Sequence, residues 1–220
     1  MKIDIYVPSS LDDISLGQYQ KFHKISDGKE GIDFINQKMV ELFCKIDLKD
    51  VIKVKYHSLN KILKHIDSLF KKDQPFQKTF NYQNKQYGFI PKLDDITFGE
   101  YIDLDTYLSD WQTMHKAMSV LYRPVTYESS GKYLIEEYDG INGKMKDMPL
   151  SIVMGSLIFF YSLSKELSIN ILKSLTEKEV NSLSKQTLEK SGAGISLYME
   201  LLRETLGTLT KSPVSAYMNV

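Results

Sequence analysis

The chain has 220 residues, 42% of them hydrophobic, enough for one sizeable domain or two small ones with a real core. Its 28 basic and 28 acidic residues cancel, so no global field draws in nucleic acid or an anionic membrane. The single cysteine, Cys44, lies in the apolar run Leu42-Phe43-Cys44; it excludes an internal disulfide framework and reads as a small core residue made in a reducing compartment.

Residues 3–7 alternate apolar and polar side chains, which predicts a short strand and lacks the apolar core of a signal peptide. Next comes a nine-residue phrase, Leu11-Asp12-Asp13-Ile14-Ser15-Leu16-Gly17-Gln18-Tyr19, that returns 82 positions later as Leu93-Asp94-Asp95-Ile96-Thr97-Phe98-Gly99-Glu100-Tyr101. Six of the nine residues are identical, and a proline, Pro8 or Pro91, precedes each copy. Both copies encode a helix start: Ser15 and Thr97 are N-caps, and Gln18 and Glu100, three residues on, complete a capping box. Ile14 with Tyr19, and Ile96 with Tyr101, have the spacing of a hydrophobic staple. The aspartate pairs complement the positive end of the helix dipole; nothing beside them supplies metal-ligand spacing. Gly17 and Gly99 sit in the first turn, where glycine is unfavourable unless another group packs close.

The first helix runs to about Ile25, and Ile32, Ile35, Met39, Leu42 and Ile46 mark a second. Asp47 starts a brief helix, and Ser58 caps another with Leu59, Ile62, Leu63, Ile66, Leu69 and Phe70 on one face. Residues 76–82 and 87–90 form a hairpin feeding the second copy of the phrase. From Thr97 a stripe through Tyr101, Leu104, Leu108, Trp111, Met114, Met118 and Leu121 predicts one helix, a rod near 37 Å at 1.5 Å per residue, stopped by Pro124. A second hairpin turns at Ser129-Ser130-Gly131, a glycine-containing loop spans 140–143, and Pro149 opens an apolar helix continuing through Leu172. The uncharged stretch 150–163 is shorter than the roughly 20 residues that span a bilayer, so it reads as a buried helix. Thr176 and Glu179 make a further capping box, and a last helix over 195–209 carries Leu197 and Leu201.

The fold class is therefore mainly α with small β-hairpins, an α+β multi-helix arrangement containing a duplicated strand-turn-helix joint. Residues 1–74 form a helical half with the first joint and 75–220 a hairpin-plus-helix half with the second, packed as one compact unit. The second half has the longer helix and the more apolar one; if the copies are related by a pseudo-twofold, that asymmetry lets one half form the core while the other meets a partner.

No nucleophile elbow, phosphate loop, dinucleotide fingerprint or H-E-x-x-H motif is present. His23, His57, His65 and His115 are scattered, and the lysines of 50–72 form a solvated helix surface rather than a nucleic-acid face. The chain thus reads as no enzyme, with no catalytic residue, cofactor or metal. Tyr101, Tyr107, Trp111 and Tyr122 either anchor a partner or fill the core.

The segments ITFGEYIDLDTYLSDWQTMHKAMSVLYRPV (96–125), KYLIEEYDG (132–140) and KDMPLSIVMGSLIFFYSLSKEL (146–167) resemble small proteins of the structural gene blocks of tailed bacteriophages, some of them tail or baseplate-hub assembly chaperones. The resemblance implies a virion assembly protein in the cytoplasm of the infected host, or in the virion. Its partner would be a tape-measure, hub or other virion protein, or a second copy of the chain, with no small-molecule substrate, nucleic acid or membrane. Trp111, Met118, Leu157, Phe160, Leu197 and Leu201 are the expected binding residues on apolar helix faces. The alternatives are a permanent virion component, such as an adaptor or internal particle protein, and an enzyme with a dispersed site.

Overall fold

Each copy of the repeated phrase begins with one 3₁₀ turn, Leu11–Asp13 or Leu93–Asp95, followed by an extended isoleucine and a capped helix. Ser15 Oγ accepts the Gln18 N–H at 3.2 Å while Gln18 Oε1 accepts the Ser15 N–H at 2.8 Å, opening α1 (Leu16–Ser26). Thr97 and Glu100 repeat the exchange at 3.3 and 2.6 Å, opening α5 (Phe98–Tyr107). Reciprocal bonds of this kind satisfy amides that the first helical turn leaves free.

The computed structural model describes residues 4–28, 30–141 and 143–174. Between the two copies lie α2 (Ile32–Phe43), α3 (Leu48–Val51), α4 (Tyr56–Phe70) and the strands β1 (Thr79–Tyr82) and β2 (Lys85–Phe89). After α5 come α6 (Met114–Leu121), β3 (Tyr122–Ser129), β4 (Lys132–Ile135), a 3₁₀ turn (Lys144–Asp147) and α7 (Leu150–Ser174). The fold is a mixed α+β arrangement of helices with one small antiparallel sheet. The expected capping box at Thr176 and Glu179, and the last helix with Leu197 and Leu201, lie outside the described residues.

Several expectations need correction. Among the described residues, 4–8 pair with no strand, so there the second copy of the phrase follows a strand and the first does not. Ser58 lies inside α4, which opens two residues earlier at Tyr56. The expected rod from Thr97 to Leu121 is two helices of 10 and 8 residues. At the break Asp110 Oδ1 accepts the Gln112 N–H at 2.8 Å, and Thr113 Oγ1 donates to the carbonyls of Tyr107 and Asp110, both at 3.0 Å. Short polar side chains compete there with the helical ladder, and the apolar stripe resumes only after the turn. Pro124 stops no helix; it lies in β3 opposite Tyr87, and its carbonyl accepts the Glu136 N–H at 2.9 Å.

The two hairpins form a single sheet of order β1-β2-β3-β4, because β2 pairs with β3 across the intervening helices, with Gly88 opposite Arg123. Gln83-Asn84 and Ser130-Gly131 take positive φ at both turn positions, the geometry that matches the strand twist in two-residue hairpins. A continuous core draws on residues from both sides of position 75, including Phe22, Phe43, Ile66, Met118, Tyr122 and Leu157.

The first half of α7 runs through this core. Leu150, Ile152, Val153, Met154, Leu157 and Phe160 are buried, which accounts for the uncharged stretch; no helix among the described residues is long and apolar enough to cross a membrane. Phe159 stacks on Phe76 at 4.3 Å between centroids, and the Tyr122 hydroxyl meets Ser156 Oγ at 2.9 Å. A Cβ on Gly155 would stand 2.6 Å from the Pro75 carbonyl oxygen, so glycine lets the helix touch that backbone. Gly155→Ala should therefore destabilise by about 1–3 kcal/mol, the range for overpacking, although alanine favours an isolated helix. Urea unfolding checks this, and an unchanged or raised midpoint would show that the contact gives way.

Candidate functional site

Helix α5 lays three large apolar side chains on the surface: Phe98 is 78% exposed, Tyr101 46% and Ile102 44%. At the matching positions of the first copy Leu16, Tyr19 and Gln20 are buried, Leu16 completely. One face of the same local design is thus core in α1 and surface in α5. Clustered apolar side chains of this size on one helical turn mark an interaction surface more than scattered single residues do.

The opposite side of α5 is fixed to the sheet by charge. Glu100 is 3% and Arg123 9% exposed, and their ion pair is 2.5 Å long. The second Glu100 carboxylate oxygen accepts from the Thr97 N–H and hydroxyl, so the carboxylate serves the helix cap and the ion pair together. The Arg123 guanidinium lies 5.7 Å from the centre of the Tyr138 ring, and the Tyr138 hydroxyl donates to Asp103 Oδ2. Burial first, then the Asp103 carboxylate, pushes the Tyr138 hydroxyl well above the usual phenol range. The cluster is a clamp: it orients α5 so that Phe98, Tyr101 and Ile102 point away from the sheet.

Comparison with family models, with characterised proteins and with solved structures returned no match. The site therefore rests on its own geometry.

Trp111, Met118, Leu157 and Phe160, expected on binding faces, are all core residues, from 0% exposed for Met118 to 7% for Phe160. Their helical spacing signals burial equally well, and the folded chain spends their apolar surface on its own packing: Trp111 stands edge-on to Tyr19 at 4.7 Å and Phe160 contacts Phe89. Of the four candidate aromatics, Tyr101 is the exposed one, while Trp111 and Tyr122 are buried. Arg123 and Tyr138 carry no signal in the sequence, since their partners lie 23 and 35 residues away and no local pattern links them.

Among the described residues no group of three His, Cys, Asp or Glu side chains could hold a metal ion. Lys53 and Lys71, from the lysine-rich segment, pair with Asp50 and Asp67. His65 Nε2 lies 2.9 Å from the Pro8 carbonyl. Burial pushes the Cys44 thiol up to about 11, so it is a poor nucleophile near neutral pH. A groove of about 480 Å³ lined by Asp12, Asp13, Ser15, Gln18, Lys45 and Asp147 lies open beside the first copy of the phrase.

His115 is buried with its Nδ1 3.0 Å from Gln20 Nε2, which also donates to the Trp111 carbonyl at 2.6 Å. The amide can only donate there, so Nδ1 accepts and the ring is neutral. Burial, helped by Lys146 and Lys116, lowers the His115 pKa below its ordinary 6.5.

Two outcomes follow. Arg123→Leu leaves Glu100 charged and buried and should cost about 3–5 kcal/mol in urea unfolding; the pair Glu100→Gln with Arg123→Met should recover part of it, and additive losses would show that the two groups act independently. As pH falls below about 6.5 the unfolded His115 binds a proton that the folded one does not, so stability should fall until the folded value is reached. His115→Gln should flatten that part of the pH–stability curve, and an unchanged slope would place the cause elsewhere.

Proposed function

We propose that this chain is a non-enzymatic virion assembly protein of a tailed bacteriophage, a tail or baseplate assembly chaperone that holds a tape-measure or hub protein against the apolar face of α5. The observation that carries the reading is the contrast between the copies: the face that α1 buries is presented by α5 as Phe98, Tyr101 and Ile102. A client helix or extended segment with apolar side chains at helical or alternate spacing would cover them. The buried Glu100–Arg123 pair supports this use, because a pre-oriented surface loses less entropy on binding. The sequence resemblance supplies the class of partner, and the two copies of the phrase are read as duplicates of one joint that have taken different roles.

The test joins localisation to surface chemistry. Copies of the chain counted by mass spectrometry should be abundant in the infected-cell lysate and absent from purified particles, with a tape-measure or hub protein co-purifying. Phe98→Asp together with Tyr101→Asp should weaken that partner's affinity by ~30-fold or more, the loss of about 2 kcal/mol expected of a hot spot, without unfolding the chain. Stoichiometric retention in particles would instead make the chain a permanent virion component, and wild-type affinity in the double variant would move the binding face elsewhere.

A further inference from the structure

Strand β4 is an edge of the sheet: it pairs with β3 on one side, and among the described residues no strand pairs with it on the other. The phase of the hairpin decides which of its backbone groups are free. The two-residue turn Ser130-Gly131 closes on Ser129 opposite Lys132, and the Glu136 N–H donates to the Pro124 carbonyl. Lys132, Leu134 and Glu136 therefore turn their amides and carbonyls toward β3. By alternation Tyr133 and Ile135 turn theirs outward, where no described backbone group meets them. An unpaired row of this kind is a template for one more strand.

The side chains divide in the same way. Tyr133 and Ile135 are half-buried over Gly88, with atoms 2.5 and 3.0 Å from where a Cβ there would stand, and the Tyr133 hydroxyl donates to the Phe89 carbonyl at 2.8 Å. Lys132, Leu134 and Glu136 share the other face and are exposed. Beside them Tyr127 stands opposite Leu134 in β3, and these two large apolar side chains are 61% and 60% exposed. Lys132 and Glu136 make no side-chain hydrogen bond or ion pair among the described residues.

Charges on an edge strand usually keep a second strand away. On this edge their order does the reverse. Two antiparallel β4 strands can exchange backbone hydrogen bonds only through their outward residues, which restricts pairing within the strand to registers centred on Tyr133, Leu134 or Ile135. Centred on Leu134, Tyr133 of each copy faces Ile135 of the other, and Lys132 faces Glu136 at both ends. Leu134 then meets its own copy in a non-hydrogen-bonded pair, where side chains lie closest. The other two registers set Leu134 against Lys132 or against Glu136 and match no charges.

We propose that β4 pairs antiparallel with β4 of a second copy of this chain in the Leu134-centred register, joining two four-stranded sheets across a twofold axis. Tyr127 and Leu134 of both copies form one apolar stripe, closed at each end by a Lys132–Glu136 ion pair. The contact is self-complementary, as a twofold interface must be. It uses no residue of the α5 face and stands whether or not the chain serves a client.

Sedimentation equilibrium of the full-length chain tests this. The contact is small, so the wild type should pass from monomer toward dimer with a Kd of about 1 mM or tighter. Lys132→Glu and Glu136→Lys each set like charges against each other at both ends, and each should weaken the dimer ~10-fold or more. An equal mixture of the two variants restores opposite charges across the pairing and should dimerise as the wild type does. Both positions are exposed, and unchanged urea midpoints should show that the variants stay folded. A wild type that remains monomeric up to ~1 mM would overturn the proposal. So would a dimer that the single variants leave intact, or one that their mixture fails to restore.

Discussion

Two backbone hydrogen bonds between the start of α1 and the start of α7 set how the rest of the chain is assembled. They join Leu16 to Met148 and Leu150 to Ile14, beside a side-chain bond from Ser151 to Asp12 that spans 139 positions, and they fix where α7 enters the core. Their own contribution is modest, about 0.5–1.5 kcal/mol each. Burial of Leu150, Ile152, Val153, Leu157 and Phe160 contributes more, about 1.5–3 kcal/mol per side chain. Burial therefore drives α7 inward, while the bridge decides its register. That register places Gly155 on Pro75 and Ser156 on Tyr122, and so couples the helices to the sheet.

What was legible in the sequence was local. Capping boxes at Ser15 and Thr97, the hairpin turn at Ser129-Ser130-Gly131, and an uncharged run too short for a bilayer each depend on a few neighbouring residues, and each formed as its chemistry requires. The errors arose where a local signal was silent about distance. Apolar spacing from Tyr101 to Leu121 is compatible with one helix or with two that bury the same stripe, and Asp110 with Thr113 decided for two. The pairing of β2 with β3 across α5 and α6 leaves no mark in either hairpin. Trp111, Met118, Leu157 and Phe160 resemble binding faces in sequence because an apolar stripe reads the same whether a partner or the chain itself covers it.

The repeated phrase separates these two levels. Its capping residues act within four positions and give the same turn and helix start twice. Its apolar residues act through whatever packs on them, and there the copies part: Leu16 meets the start of α7, whereas Phe98 meets no comparable described segment. Exchanging leucine for a larger aromatic at a position left open runs against solubility. Phenylalanine supplies large contact area with few rotatable bonds, which suits a contact surface better than a solvated one.

The exchange of Gln18 for Glu100 fits the same division. Both cap their helices, but Gln18 spends its amide on the Leu42 carbonyl at 2.5 Å, a neutral bond within a helical layer, whereas Glu100 carries a charge into the interior to meet Arg123. A buried ion pair contributes little net stability against an apolar alternative of the same shape, so stability alone does not account for it. It does punish displacement, because separating the partners leaves two uncompensated charges out of water. Helix α1 needs no such device, being held on several sides by core. Helix α5, with one face open, is held by a contact that tolerates little sliding, and this keeps the exposed Phe98 and Tyr101 in one orientation.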